Sequence, residues 1–150
     1  MISKGIVTQT GADTFTAFQI LTGLTADGKA GWEIKSFKAH WLLGFTAAAA
    51  DNIANCVLAT LATVTTPNLD DEIARVSWSV QNTAGVAVAM IFEPMKMIIL
   101  PEPRVTAQTD LYIHANSTTT GLTNVMYWEI EYDIIKLSDI EVLRLMVAGA

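Results

Sequence analysis

Three carboxylates spaced two residues apart form the densest group of chemically capable side chains in the chain: Glu129, Glu131 and Asp133. Alternate residues of a strand point to one face, so an extended backbone would set these groups in a row at steps of about 6.6 Å. Such oxygens can bind Ca²⁺, and pairs of carboxylates can hydrolyse glycosides. A row on a strand face is more commonly solvated or paired with lysines of the next strand. We favour that interpretation, keep a cation site as the alternative, and assign no metal or catalytic residue.

Nucleophilic catalysis needs a nucleophile, a base and an orienting group. The candidates are Cys56, His40 and His114. Cys56 begins an apolar run, which predicts a buried structural thiol, and both histidines fall on predicted strand faces. The chain has no G-x-S-x-G, C-x-x-C or H-x-x-x-H motif and no Gly-rich phosphate loop. We therefore predict that the protein is not an enzyme and that it holds no cofactor and no metal.

Aromatic side chains leave one alternative open. Four tryptophans could offer a platform on which sugar rings stack: Trp32, Trp41, Trp78 and Trp128. Three of them alternate with apolar residues, which predicts core packing, whereas Trp32 follows Gly31 at a turn and is the best candidate for exposure. Asn116-Ser117-Thr118 is formally a glycosylation sequon, and we interpret it as part of a polar loop tip. A carbohydrate-binding β-sandwich module is accordingly the alternative function.

The acidic row lies on the clearest predicted strand, residues 124–137. Its opposite face carries Met126, Trp128, Ile130, Tyr132 and Ile134. A period of two fits a half-buried strand, and a helix would scatter these side chains around its axis. The other predicted strands are residues 13–22, 31–43, 56–64, 75–81, 86–92, 95–100 and 105–115.

The segments between the strands carry turn and helix signals. Residues 46–55 contain four alanines and predict a short helix or a tight loop, residues 70–74 a helical turn, and 116–122 a polar tip. The prolines of residues 101–103 predict a stiff connector. Ser138 and Glu141 fit a capping box that opens a final helix over residues 138–147. Its apolar stripe is Ile140, Leu143, Met146 and Val147, which must dock because two turns are unstable alone.

About eight strands without βαβ alternation predict an all-β fold. Turn signals every 10 to 15 or so residues favour an antiparallel β-sandwich, and among sandwiches a jelly roll of about eight strands with a short C-terminal helix. No internal repeat, linker or composition shift interrupts the 150 residues. We predict one β-sandwich domain over residues 1–150.

The composition indicates surface buried between copies. Hydrophobic residues make up 51% of the chain and charged residues only 16%, against about 25% in a typical soluble domain. The most apolar window, residues 86–100, contains Glu93, Pro94 and Lys96, so no transmembrane segment is predicted. The first residues lack the apolar core of a signal peptide. We expect a homo-oligomer that buries the surplus apolar surface.

The overall pattern resembles small virion structural proteins, namely single jelly-roll capsid subunits and phage coat or decoration proteins. The resemblance is carried by the strand of residues 125–135, the Thr-rich loop before it and the closing segment of residues 136–141. It implies a subunit that self-assembles into a capsid or similar shell through strand-edge and apolar contacts. It also implies other virion proteins as partners and localisation in a virion assembled in the host cytoplasm. A basic genome-binding arm, common in coat proteins, is missing from this sequence.

The charge balance generates a first prediction, that nucleic acid does not bind directly. Nine Lys and Arg residues stand against 15 Asp and Glu, a net charge of −6, so little counterion release is available to drive binding. We expect no mobility shift of DNA or RNA at micromolar protein in about 150 mM salt, a condition typical of the cell. Submicromolar binding would contradict this prediction.

Overall fold

The computed structural model describes residues 1–11, 15–25, 29–43, 52–63, 72–80, 95–117 and 125–148. The strands and the helix within these ranges, numbered in chain order, are β1 (Ile2–Thr8), β2 (Thr16–Leu21), β3 (Ala30–Leu43), β4 (Asn52–Ala59), β5 (Glu72–Val80), β6 (Met95–Thr106), β7 (Asp110–Ser117), β8 (Val125–Lys136) and α1 (Asp139–Ala148).

The strands form two four-stranded antiparallel sheets. Sheet A has the order β1-β8-β3-β6 and sheet B the order β2-β7-β4-β5. Strand β1 pairs with β8, β2 with β7, β3 with β6 and β4 with β5. This nested pairing is the connectivity of a jelly roll, a long antiparallel hairpin rolled into two sheets. The predicted all-β sandwich is confirmed, with its eight strands and its C-terminal helix.

Alternation on the central strands of sheet A builds one side of the core. Trp128 and Ile130 of β8 lie beside Ala39 and Phe37 of β3, and all four are buried. The predicted facing is therefore confirmed from Met126 to Tyr132, because period-two patterning on a half-buried strand leaves one solution. Ile134, which was predicted on the same buried face, is 52% exposed. The same inner face extends along β3 to Trp41.

Aromatic contacts join the two sheets across the core. Trp41 of β3 and Trp78 of β5 meet edge to face, with ring centroids 5.7 Å apart. Trp128 of β8 contacts Phe18 of β2 at 5.9 Å. Gly5 of β1 lies beside the Trp128 indole, where an added Cβ would come within 2.7 Å of the ring. A side chain at position 5 would therefore displace the indole that connects the sheets.

One polar contact is buried with the apolar core. The Gln9 amide, just after β1, donates to the backbone carbonyl of Ser117 at 3.1 Å, and the Ser117 hydroxyl donates to the amide oxygen of Gln9 at 2.9 Å. This reciprocal pair satisfies buried polar atoms at the junction between β1 and β7, which lie in different sheets.

Three segments differ from the sequence prediction. β1 was not predicted, because its sequence mixes apolar and polar residues and contains Gly5. Its pairing with β8 explains why this segment is nevertheless extended. β4 begins at Asn52, so the helix or loop predicted over residues 46–55 is wrong for its last residues. β5 begins at Glu72, which replaces the helical turn predicted there. In each case pairing with an adjacent strand overrides a weak local propensity.

The boundaries of the next strands also shift. A single strand, β6, runs through the predicted proline connector, but its ladder with β3 is interrupted: Ile99 pairs with Ser36 and Arg104 with Ile34. Between these two pairs the chain advances by five residues on β6 but by only two on β3. The prolines of residues 101–103 suit this irregularity, because a proline has no backbone N–H to donate to a ladder. The strand predicted over residues 105–115 is divided, since β6 ends at Thr106 and β7 begins at Asp110. The strand predicted over 86–92 lies outside the described residues.

The capping box of α1 is confirmed. The Glu141 carboxylate accepts from the Ser138 amide at 2.7 Å, and the Glu141 amide donates to the Ser138 hydroxyl at 3.3 Å. Lys29 pairs with Asp139 at 3.1 Å, next to the helix start. α1 packs over one end of the outer face of sheet A, and a pocket between them is lined by Val105, Ile135, Leu137, Glu141, Arg144 and Leu145.

The facing of β8 generates a stability prediction. Trp128→Ala removes a buried indole from the contact between the sheets, so we expect the free energy of unfolding to fall by about 3–5 kcal/mol. Glu131→Ala, three residues away on the solvent face, is the matched control and should cost less than about 0.5 kcal/mol. Urea unfolding followed by tryptophan fluorescence and far-UV circular dichroism measures both. A larger loss for Glu131→Ala would contradict the register.

Candidate interaction surfaces

The acidic row of β8 lies on the outer face of sheet A, where lysines of β3 meet two of its members. The Lys38 ammonium lies 3.8 Å from Glu129, and Lys35 binds Asp133 through a short charged hydrogen bond. Hydrogen bonding to Lys35, followed by its charge, lowers the pKa of Asp133, and the same contact raises the pKa of Lys35. The favoured interpretation, pairing with lysines on the adjacent strand, is confirmed for these two carboxylates.

The middle carboxylate has a polar partner as well. The Ser36 hydroxyl donates to Glu131 at 3.1 Å, and the Tyr127 hydroxyl donates to the neighbouring Glu129 at 2.8 Å. Within the described ranges no group of three or more His, Cys, Asp or Glu side chains converges as a metal site would require. The contacts of Glu129 with Lys38, of Glu131 with Ser36 and of Asp133 with Lys35 form an ionic ladder across the centre of sheet A.

Cys56 lies on the inner face of β4, fully buried in the core. Desolvation raises the pKa of its thiol to about 12, which keeps the sulfur protonated and unreactive at ordinary pH. The predicted structural thiol is confirmed. Its neighbour Val57 pairs with His114 and points to the opposite face of sheet B, so Cys56 and His114 do not form a nucleophile–base pair.

His114 is buried although it lies on the outer face of sheet B. Phe15 meets its ring edge to face at 6.2 Å, and Phe15 also packs on the buried pair Val57 and Ala59. His114 Nε2 lies 2.8 Å from the Leu61 carbonyl oxygen, which can only accept, so this nitrogen carries the proton. Burial away from water lowers the pKa of His114 despite that contact. The residue thus belongs to a small second core that covers part of sheet B.

The other histidine lies on the opposite side of the sandwich. His40 of β3 is half-buried on the outer face of sheet A, between Tyr127 of β8 and Met95 of β6 in the strand register. The two histidines are therefore on different sheets, and the structure does not bring them together. His40 instead borders an apolar strip on β6.

The tryptophans form no external platform. All four are buried, including Trp32 at 3% exposure, so its predicted exposure is wrong. It stacks on Tyr132 with ring centroids 3.6 Å apart, because the inner face of sheet A continues to that end of β3. The indole nitrogens of Trp32 and Trp128 have no hydrogen-bond partner, so the apolar packing of both rings offsets the cost of burying these N–H groups. The carbohydrate-binding alternative therefore loses the tryptophans that were proposed to stack on sugar rings.

The glycosylation sequon is also not a loop tip where the structure describes it. Asn116 and Ser117 are the last residues of β7 and both are buried, while Thr118 lies outside the described residues. The ladder pairs Asn116 with Asn55 and Ser117 with Ala54 of β4. Pairing with a neighbouring strand has extended β7 into a segment whose polar composition predicts a turn.

Large apolar side chains are exposed in two clusters on the side of sheet A. The first, here called the β6 strip, comprises Met95, Met97 and Ile99, which are 51%, 52% and 71% exposed. The second, the α1 stripe, comprises Ile140 and Leu143, exposed by 65% and 62%. The predicted stripe of α1 therefore does not dock on its own sandwich at these positions, and the side chains of Met146 and Val147 lie outside the description. Ile2 and Ile6 of β1 are exposed to a similar degree.

Sequence reasoning did not assign the β6 strip. The side chains on both faces of this segment are apolar except for Lys96. The sequence alone would therefore place Lys96, and its face of the strand, toward the solvent. The structure has the opposite facing: Ile98 packs against the core, and the Lys96 ammonium reaches inward to donate to the Ser77 carbonyl of β5 at 2.7 Å. Pairing of Ile98 with the buried Phe37 sets this register. The methionines are left outside as a consequence.

A groove runs along this side of the sandwich between the edge strands β5 and β6. It encloses about 390 Å³ and is lined by Arg75, Val76, Ser77, Met95, Lys96, Met97 and Ile98. Arg75 is paired with Glu72. Lys96 has no carboxylate partner among the described side chains, and it gives the groove a positive charge next to its methionines. The β6 strip forms the outer margin of this groove.

No protein-family model matches the chain, and no curated protein is similar to it in sequence. None of the helices in the described ranges is long and apolar enough to span a bilayer.

Burial of His114 generates a prediction on pH and stability. Its lowered pKa means that between the folded value and 6.5 the unfolded chain binds more protons than the folded one. The contribution of His114 to the free energy of unfolding is therefore fully present above pH 6.5. It is lost on acidification toward pH 5, by at most about 1.4 kcal/mol per pH unit. His114→Gln, which can still donate to the Leu61 carbonyl, should flatten this dependence. His40→Gln is the control and should retain it.

Urea midpoints at half-unit steps of pH measure the effect. The contribution of Asp133, whose pKa is lowered, is lost only as pH falls below the ordinary aspartate value of 3.8, outside this window. An unchanged slope in His114→Gln would contradict the assignment.

Proposed function

We propose that this protein is a structural subunit that self-assembles into a viral capsid or similar protein shell. In this proposal it is a component of a virion, assembled in the host cytoplasm, and its partners are copies of itself and other virion proteins. It acts by burying apolar surface between subunits rather than by chemistry at a site. Nucleic acid is not a direct partner.

The exposed apolar side chains carry the proposal. Thirteen large hydrophobic residues of the described ranges are exposed by 42% or more, and those of the β6 strip lie next to one another on a single strand. A methionine or isoleucine that stays in water forfeits about 1.5–3 kcal/mol relative to full burial. Association of copies recovers part of this free energy, which explains a surface so rich in such residues.

The fold and the charge pattern support the same function. Eight-stranded jelly rolls recur in viral capsid and lectin domains, and a fold alone does not choose between them. The buried tryptophans take away the stacking platform on which the carbohydrate alternative rested. The carboxylates of β8 are engaged with Lys35, Lys38 and Ser36, so they stabilise the sheet instead of facing a ligand.

Light scattering coupled to size-exclusion chromatography tests the proposal. We expect masses well above the 16.2 kDa of one chain at micromolar concentration, and regular particles by negative-stain electron microscopy. Since apolar burial drives the contact, sulfate should promote assembly, as excluded salts strengthen hydrophobic association. A monomer of 16.2 kDa under all of these conditions would refute the proposal.

A further inference from the structure

We infer that assembly is head to tail: the α1 stripe of one copy docks into the groove between β5 and β6 of the next copy. The inference rests on the proposed self-assembly and specifies the two surfaces that make it. The occupant of the groove is a second copy of this chain, and the contact is an amphipathic helix in a groove that is lined by both apolar and polar side chains.

The helix is held to its own subunit by one side only. Leu137 is buried and Leu145 half-buried, whereas Ile140 and Leu143 point away into solvent. A helix of ten residues is about 15 Å long and gains little stability from local hydrogen bonds. Its apolar outer side is therefore available to a second surface, and a partner there would also stabilise the helix.

The groove offers apolar side chains that adapt in shape. Met95 and Met97 line it and continue into the exposed Ile99. Methionine has three rotatable bonds and a polarisable sulfur, so it can repack around inserted branched side chains. A groove of about 390 Å³ bordered by two methionines is suited to accept Ile140 and Leu143 side by side.

The charges of the two surfaces are complementary. The first turn of α1 carries Asp139 and Glu141, of which only Asp139 has a lysine partner, in a highly exposed pair. The groove holds the ammonium of Lys96, which has no carboxylate partner among the described side chains, whereas the guanidinium of Arg75 is already paired with Glu72. An acidic helix start brought to Lys96 gains a favourable contact, while two grooves brought together would set one Lys96 against another.

The exposure of Ile140 and Leu143 shows that the stripe does not occupy the groove of its own subunit, which favours a chain of subunits. α1 lies over Val105, near the end of β6, whereas the groove lies at its beginning, around Met97. Met97 pairs with Lys38 and Val105 with Glu33, five residues apart on β3, so the strand rise puts these positions roughly 15–17 Å apart. Different surfaces on one molecule that bind each other form a heterologous interface, which closes into rings or extends as the angle dictates. Such contacts are what a shell requires.

Two single variants and their mixture test the inference. Leu143→Glu disables the stripe and Met97→Glu the groove, and both replace side chains that are more than half exposed. We expect each variant alone to associate about a hundredfold more weakly than the wild type, because an apolar contact is replaced by a carboxylate that must lose its water on docking. Leu21→Glu, at an exposed position on sheet B, is the matched control and should assemble as the wild type does. Circular dichroism and thermal unfolding confirm that all three remain folded.

The mixture separates head-to-tail docking from symmetric contacts. Leu143→Glu keeps an intact groove and Met97→Glu an intact stripe, so an equimolar mixture should form a complex of two chains, twice 16.2 kDa, and stop there. No complex in the mixture, or loss of assembly in only one of the two variants, would overturn the inference. Assembly of the wild type with both variants unaffected would overturn it and leave the proposed function standing, whereas a monomeric wild type would overturn both.

Discussion

Each sheet of this sandwich can bury only one face against the other sheet, and the distribution of side chains over the two faces follows from that constraint. Successive residues of a strand point to opposite faces. β8 and β3 pair on both sides, which satisfies their backbones and allows Trp128, Ile130 and Phe37 to fill the core. The outer face of the same strands then receives the charged residues, whose partners are decided by the register of β8 on β3.

The outer faces of the two sheets differ for the same reason. In sheet B, Phe15 and the Leu61 carbonyl cover His114, Val57 and Ala59, so this face has a small core of its own. In sheet A the ionic ladder occupies the centre, and the exposed apolar side chains lie at the margins and on α1. Exposed apolar side chains also occur on sheet B, for example at Leu21 and Ile53, whereas the β6 strip and the α1 stripe lie on the side of sheet A.

The edge between β5 and β6 shows how association can be directed. Lys96 points inward from an edge strand and donates to the Ser77 carbonyl of the facing edge. Inward-pointing charges of this kind discourage the addition of further strands to a sheet. In the proposed assembly, contacts between copies on this side are made by side chains such as Met95 and Met97. That favours a specific docking surface over the strand-edge pairing expected from the resemblance to capsid proteins.

The sequence by itself determined the features in which one local pattern admits one solution. Clean alternation predicted the facing of β8, the Ser138 and Glu141 spacing predicted the cap of α1, and an apolar run predicted the buried Cys56; all are confirmed. The tertiary structure alone decided the facing of β6, the extension of β5 through Glu72 and the burial of Trp32. In those segments both strand faces are apolar, or the local propensity is weak, so pairing with distant strands sets the outcome. The β6 strip is exposed because Ile98 pairs with Phe37, a contact between residues about sixty positions apart that no local pattern encodes.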